Sequence, residues 1–194
     1  MRNKEIFKLI FNPFHKIAGW EALGLGGVTA IATALIGRFS NAVTDGALDL
    51  HLVQQTTFAH TAMFTGISFI SLIACMTIAA FAISKSFRIV DIAGTISLAK
   101  TPVLLAVLLG FFTTVPDQKA IIANPMILLT SATFIVVTLL IIPITIWSIA
   151  LMFNAFKVST GAKGTSLVMT FIIALVASEI FSKFIIFFCL QRKM

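Results

Sequence analysis

The sequence predicts an all-α fold, a polytopic transmembrane bundle of five helices. Three observations predict it. Five apolar runs each come close to the roughly 20 residues that a helix needs to cross a bilayer. Only 11% of the residues are charged, against about 25% in an ordinary soluble domain. Apolar residues make up 59% of the 194, and the mean hydropathy is +1.07. A soluble chain could not present that surface to water without large exposed patches. Lipid removes the difficulty.

Residues 1–17, MRNKEIFKLIFNPFHKI, read as a short basic amphipathic lead. Ile6, Phe7, Leu9, Ile10, Phe11 and Phe14 interleave with Lys4, Lys8 and Lys16, as in a helix lying on the inner leaflet. Pro13 ends that helix or turns it into the bilayer. The first apolar run begins only after Lys16 and has no small-residue cleavage site, so no cleaved signal peptide is expected. The first span is expected at 19–37, with Trp20 at the interface. Every fourth residue here is small: Ala18, Ala22, Gly26, Ala30 and Ala34. Such a ridge lets another helix backbone approach closely, so it is expected to face a helix rather than lipid.

Residues 38–57 form the largest loop and carry Arg38, Asp45, Asp49 and His51. The second span is expected at 58–83, where Ser68, Ser71 and Thr77 can bond to backbone carbonyls or across helices. The third is expected at 96–115. That start places Lys100 near the inner end, where its stem can snorkel to the headgroups. It also places Pro102 in the first turn, where a missing N–H costs little. The uncharged run 120–156 exceeds one span and cannot make two with a turn. It reads as one helix at 126–150, kinked near its inner end by Pro143. The loop KVSTGAKG follows, then a fifth span at 165–190. The whole of 1–194 reads as a single membrane domain. No loop is long enough to hold a soluble one, and no solenoid period is apparent.

Net charge is +7, from 14 Lys+Arg against 7 Asp+Glu. The basic residues sit mostly in short tethers between apolar runs. That points to topology and anionic headgroups, not to nucleic acid. With the N-terminus in the cytoplasm, the inner side holds Arg2, Lys4, Lys8, Lys16, Lys85, Arg88, Lys157 and Lys163. The outer side holds Arg38, Lys119, Arg192 and Lys193. Eight against four predicts N-in and C-out, with the Arg192–Lys193 pair arguing the other way. Cys75 and Cys189 fall in apolar runs without CxxC spacing and read as small buried hydrophobes.

Glu179 and Lys183 stand four apart in the fifth span, Glu first, which is the favourable helix order and puts both on one face. A charge at mid-membrane costs about 2.5–3.5 kcal/mol on insertion scales. The pair is either functional, as a proton relay, ion relay or substrate contact, or it neutralises itself and locks the fifth helix into the bundle. Glu21, near the inner end of the first span, is a candidate partner for Lys100. Asp45, Asp49, His51 and His60 lack the spacing of a tight ligand set, so no metal is expected. HExxH and GxxxxGK[ST] are absent, and Gly66-Ile-Ser68-Phe69 lacks the second glycine of an intramembrane serine protease motif. No enzyme and no cofactor are expected.

Three stretches carry a family resemblance. DIAGTISLAKTPVLLAVLLGFF (91–112) is a polar-led apolar segment with a proline before a Leu-rich run. PITIWSIALMFNAFKVSTGAKGTSLVMTF (143–171) is a Trp-containing span, a small-residue loop with Lys and the start of a last span. FKLIFNPFHKIAGWEAL (7–23) is a basic lead, a proline and then a tryptophan. In order and spacing these resemble the Yip family (Ypt-interacting proteins) of small five-span membrane proteins, over about half the chain. The resemblance implies five spans, N-in and C-out. Eukaryotic relatives act in vesicle trafficking with small GTPases of the Rab type through a longer cytosolic N-terminal region. The 17 residues here leave a GTPase partner doubtful. The compact form looks like the prokaryotic members, which implies a bacterial inner membrane and says little of activity. The expected function is a non-enzymatic role in membrane organisation, scaffolding or trafficking. The alternative is a small transporter or channel using Glu179 and Lys183. Expected partners are lipids, a second copy or other membrane proteins.

Overall fold

The computed structural model describes residues 9–116 and 118–191, apart from the side chain of Gln118. Residues 1–8 of the amphipathic lead and the Arg192–Lys193 pair lie outside the described residues. Among the described residues, five helices are long and apolar enough to cross a membrane: Gly19–Ser40, Phe58–Ile83, Ile89–Phe112, Ala132–Thr160 and Gly164–Gln191. At about 1.5 Å per residue, each matches or exceeds a hydrocarbon core about 30 Å thick. Lead residues 9–11 are helical, and Pro13–His15 form a single 3-10 turn. The fourth span holds the lead in place: Trp147 Nε1 donates to the Ile10 carbonyl at 3.1 Å, and Asn154 Nδ2 to that of Phe11 at 2.9 Å.

Two spans begin and end elsewhere than expected. The third starts at Ile89, not 96, because Asp91 is accommodated in the first helical turn, where a carboxylate suits the helix dipole. The fourth starts at Ala132, not 126. Ser131 caps it by accepting from the Phe134 N–H at 3.3 Å, and a turn at Pro125 and Met126 followed by one short helical turn, Ile127–Thr130, precedes it. The fourth helix then runs on through Pro143 to Thr160, where Gly161 ends it in the left-handed conformation.

The earlier start changes where Lys100 lies: at the midpoint of the third span, not near its end. The span is interrupted there, between Ile89–Ala99 and Thr101–Leu109. The cause is local. Pro102 has no N–H to give the Leu98 carbonyl, and the Thr101 hydroxyl donates to it instead, at 2.6 Å.

The third span is central. It packs against the first, second and fourth, while the fifth packs mainly against the second. Ala22 and Ala34 of the first-span ridge are buried, as is Gly26; Ala30 is half-buried, and Ala18 is exposed and precedes the helix. A Cβ on Gly26 would lie 2.8 Å from the Leu98 nitrogen and from the Ser97 carbonyl carbon. The two backbones therefore meet at a distance that only a glycine permits. Leu72, Met76, Ile92, Ile96, Met152 and Phe156 fill the centre of the core. Ala47, from the 41–57 loop, belongs to the same cluster.

That last fact defines the fold's main irregularity. The first span ends at Ser40, with Asn41 in the left-handed conformation (φ 52°). Strands β1 (Ala42–Val43) and β2 (His51–Leu52) pair antiparallel, Val43 opposite His51. Between them, residues 44–50 dip into the bundle. Thr44, Gly46 and Ala47 are buried.

Candidate functional site

Irregular backbone is tolerated inside a membrane protein only where protein or water satisfies its polar groups. The dipping loop meets that demand with polar and charged side chains from three spans. Lys100 is 2% exposed. Its Nζ donates to the Gly46 carbonyl at 3.0 Å and to Ser68 Oγ at 2.5 Å. Ser68, from the second span, donates in turn to the same Gly46 carbonyl. The ammonium also lies 4.8 Å from the centre of the Phe69 ring, within cation–π range.

Glu179 reaches the loop from the other side. Its Oε2 accepts from the Leu48 N–H at 3.1 Å. The carboxylate rests on Gly46, so that a Cβ at that position would fall among its atoms. A side chain at this position would have to displace the Glu179 carboxylate. Thr44 and Thr65 share a buried hydroxyl contact at 3.0 Å and fix the start of the dip.

Beyond Glu179 the charges continue outward. Lys183 Nζ lies 3.3 Å from Glu179 Oε1 and 2.6 Å from Asp49 Oδ2. His51 Nε2 lies 3.3 Å from that same Asp49 oxygen and 3.1 Å from Asp45 Oδ2. Asp45 Oδ1 is buried and has no hydrogen-bond partner among the described residues. Burial pushes the Asp49 carboxyl up, but the Lys183 hydrogen bond and the neighbouring positive charges outweigh it and hold the group below its ordinary value. The Asp45 hydrogen bond raises the His51 imidazole above its ordinary value, against a smaller opposing effect of burial.

The sequence-expected residues are distributed as follows. Glu179 and Lys183 are in contact, but both also engage the loop, through Leu48 and Asp49. Glu21 and Lys100 do not pair, which corrects the expected interhelical bridge. Glu21 is exposed in the first turn of the first span, whereas Lys100 is enclosed at mid-span. Lys100 does not snorkel either, since its ammonium is spent on the Gly46 carbonyl. Asp45, Asp49 and His51 come together, each offering a ligand atom within 4.8 Å of the others. His60 stands apart, stacked on Phe64 with ring centres 6.2 Å apart. The sequence names Asp45, Asp49 and His51 but not their convergence; the Val43–His51 pairing folds the imidazole back beside Asp45.

A cleft of about 330 Å³ opens between residues 40–41, 52–55 and 113–115, and neither Glu179 nor Lys183 lines it. No protein-family model, no curated protein and no solved structure matches this chain.

Proposed function

We propose that this chain is a non-enzymatic membrane-organising protein, as its resemblance to the Yip family implies, and that its intramembrane charges assemble the bundle rather than pass a solute. One observation carries the reading: Lys100 and Glu179, the charges nearest mid-span, are both committed to the backbone of residues 46–48. A relay or substrate contact needs a group free to exchange its partner. Lys100 shares the Gly46 carbonyl with Ser68, and Glu179 takes the Leu48 N–H; a buried backbone polar group left unpaired costs about 1–3 kcal/mol. Lipids and neighbouring membrane proteins, including a second copy, are the partners this reading expects. The charge asymmetry of the tethers orients the loop outward, with the N-terminus in the cytoplasm; the bacterial inner membrane is what the resemblance to the compact prokaryotic members implies.

Reconstitution into liposomes tests the reading. Proton, sodium, potassium and chloride fluxes should match those of empty vesicles. A flux that Glu179→Gln abolishes while the protein stays folded would establish the transporter alternative instead. For orientation, a cysteine at Gly161 should be inaccessible to impermeant reagent added outside cells.

A further inference from the structure

We propose that Asp45, Asp49 and His51 form a binding site for a divalent transition-metal ion, which clamps the two arms of the 41–57 loop together. The donor set is one imidazole nitrogen and two carboxylate oxygens, a mixture that suits ions such as zinc or manganese. The spacing suits them as well. Bonds of about 2.0–2.2 Å in tetrahedral array separate neighbouring ligand atoms by about 3.3–3.6 Å. His51 Nε2 lies 3.3 Å from the Asp49 oxygen, at the edge of that range, and 3.1 Å from the Asp45 oxygen, just short of it; all three donors lie within 4.8 Å of one another, so small side-chain rotations would close the set around an ion.

Hydrogen bonding alone accounts poorly for this convergence. Nε2 carries at most one proton, aimed at one acceptor. Two carboxylate oxygens nevertheless lie within reach of it. Independently, Asp45 Oδ1 is buried without a partner among the described residues, a costly arrangement for a carboxylate oxygen. The half-exposed His51 side chain leaves a route of entry.

Lys183 is the site's built-in competitor. Its ammonium holds Asp49 Oδ2 at 2.6 Å, but it also lies 3.3 Å from Glu179. Turning fully to Glu179 frees the Asp49 oxygen for a metal. Lys183→Met removes the competing charge and should tighten binding. This inference does not depend on the functional reading above; a silent flux assay leaves it standing.

The test uses the full chain in nanodiscs, stripped with chelator and titrated with Zn²⁺ and Mn²⁺ by calorimetry, with Ca²⁺ as the hard-cation control. The expected result is one saturable Zn²⁺ or Mn²⁺ per chain and a raised melting temperature. His51→Ala and Asp45→Asn should each weaken binding by more than the roughly 10–100-fold that loss of an outer hydrogen-bond partner costs. His60→Ala should leave it unchanged. Should either site variant fail to fold, the visible spectrum of Co²⁺ bound to the unmodified protein reports nitrogen and oxygen ligation directly. Absence of saturable binding, or affinity that survives both His51→Ala and Asp45→Asn, overturns the site.

Discussion

The third and fifth spans each carry one lysine inside an otherwise apolar helix, and the two are solvated in different ways. Lys100 is enclosed by protein, with a backbone carbonyl, a serine hydroxyl and an aromatic ring around its ammonium. Lys183 is 47% exposed and sits between two carboxylates. The third span is buried over 56% of its most apolar stretch and the fifth over 33%, which is why one lysine must be satisfied internally and the other keeps a route to the bundle's end. Formal salt bridges therefore mislead as a guide to importance. Lys183 has two and should matter less; Lys100 has none among the described residues and should hold the loop.

The comparison breaks most sharply at Lys100→Met. That change leaves the Gly46 carbonyl with Ser68 alone and removes positive charge from beside Asp45 and Glu179. Loss of one member of a buried charged cluster costs about 3–5 kcal/mol. Thermal unfolding in detergent should show a larger fall for Lys100→Met than for any substitution at Gly46, Glu179 or Lys183, and residues 44–50 should gain protease sensitivity. Gly46→Ala comes next. Its Cβ displaces the Glu179 carboxylate from the loop and from the Leu48 N–H, for an expected loss of about 2 kcal/mol by overpacking. Glu179→Gln keeps the shape and an acceptor for Leu48, so its cost should stay near about 1 kcal/mol.

Adding Lys183→Met to Glu179→Gln sharpens the point. If Glu179 and Lys183 were an isolated pair, joint removal would recover stability. Asp49 is a second partner for Lys183, so the double variant should melt no higher than Glu179→Gln alone. Lys183→Met by itself should be the mildest change, within about 1 kcal/mol, as for other half-exposed ion pairs. Equal shifts for Lys100→Met and Lys183→Met would erase the distinction between the two lysines.

Much of the fold is legible in the sequence because hydropathy reports directly on lipid. Five apolar runs correspond to five helices, and the position of Glu179 and Lys183 on one face follows from their spacing of four. The third span starts earlier than hydropathy indicates, because Asp91 looks like a boundary yet sits comfortably in a first helical turn. That single shift moves Lys100 from an end to the middle and removes Glu21 as its partner. The loop is less legible still. Residues 38–57 look polar enough to be a solvent-exposed connection, and no local pattern announces that Gly46 and Ala47 are buried. Only long-range contacts, from Lys100 and Glu179 to residues 46–48, show it. The Asp45–Asp49–His51 cluster is hidden for the same reason, since it depends on a two-residue β-pairing.

The central claim is that residues 46–48 are docked inside the bundle by Lys100 and Glu179. Cysteine accessibility at position 47 tests it most directly. Ala47 is 1% exposed, and Gln55, in the same loop, is exposed. With Cys75 and Cys189 replaced by alanine and the protein in nanodiscs, Gln55→Cys should react at once with a polar maleimide. Ala47→Cys should stay protected until Lys100→Met is added, and then react. Labelling of Ala47→Cys as fast as Gln55→Cys in the presence of Lys100, or protection that Lys100→Met leaves untouched, would contradict the account.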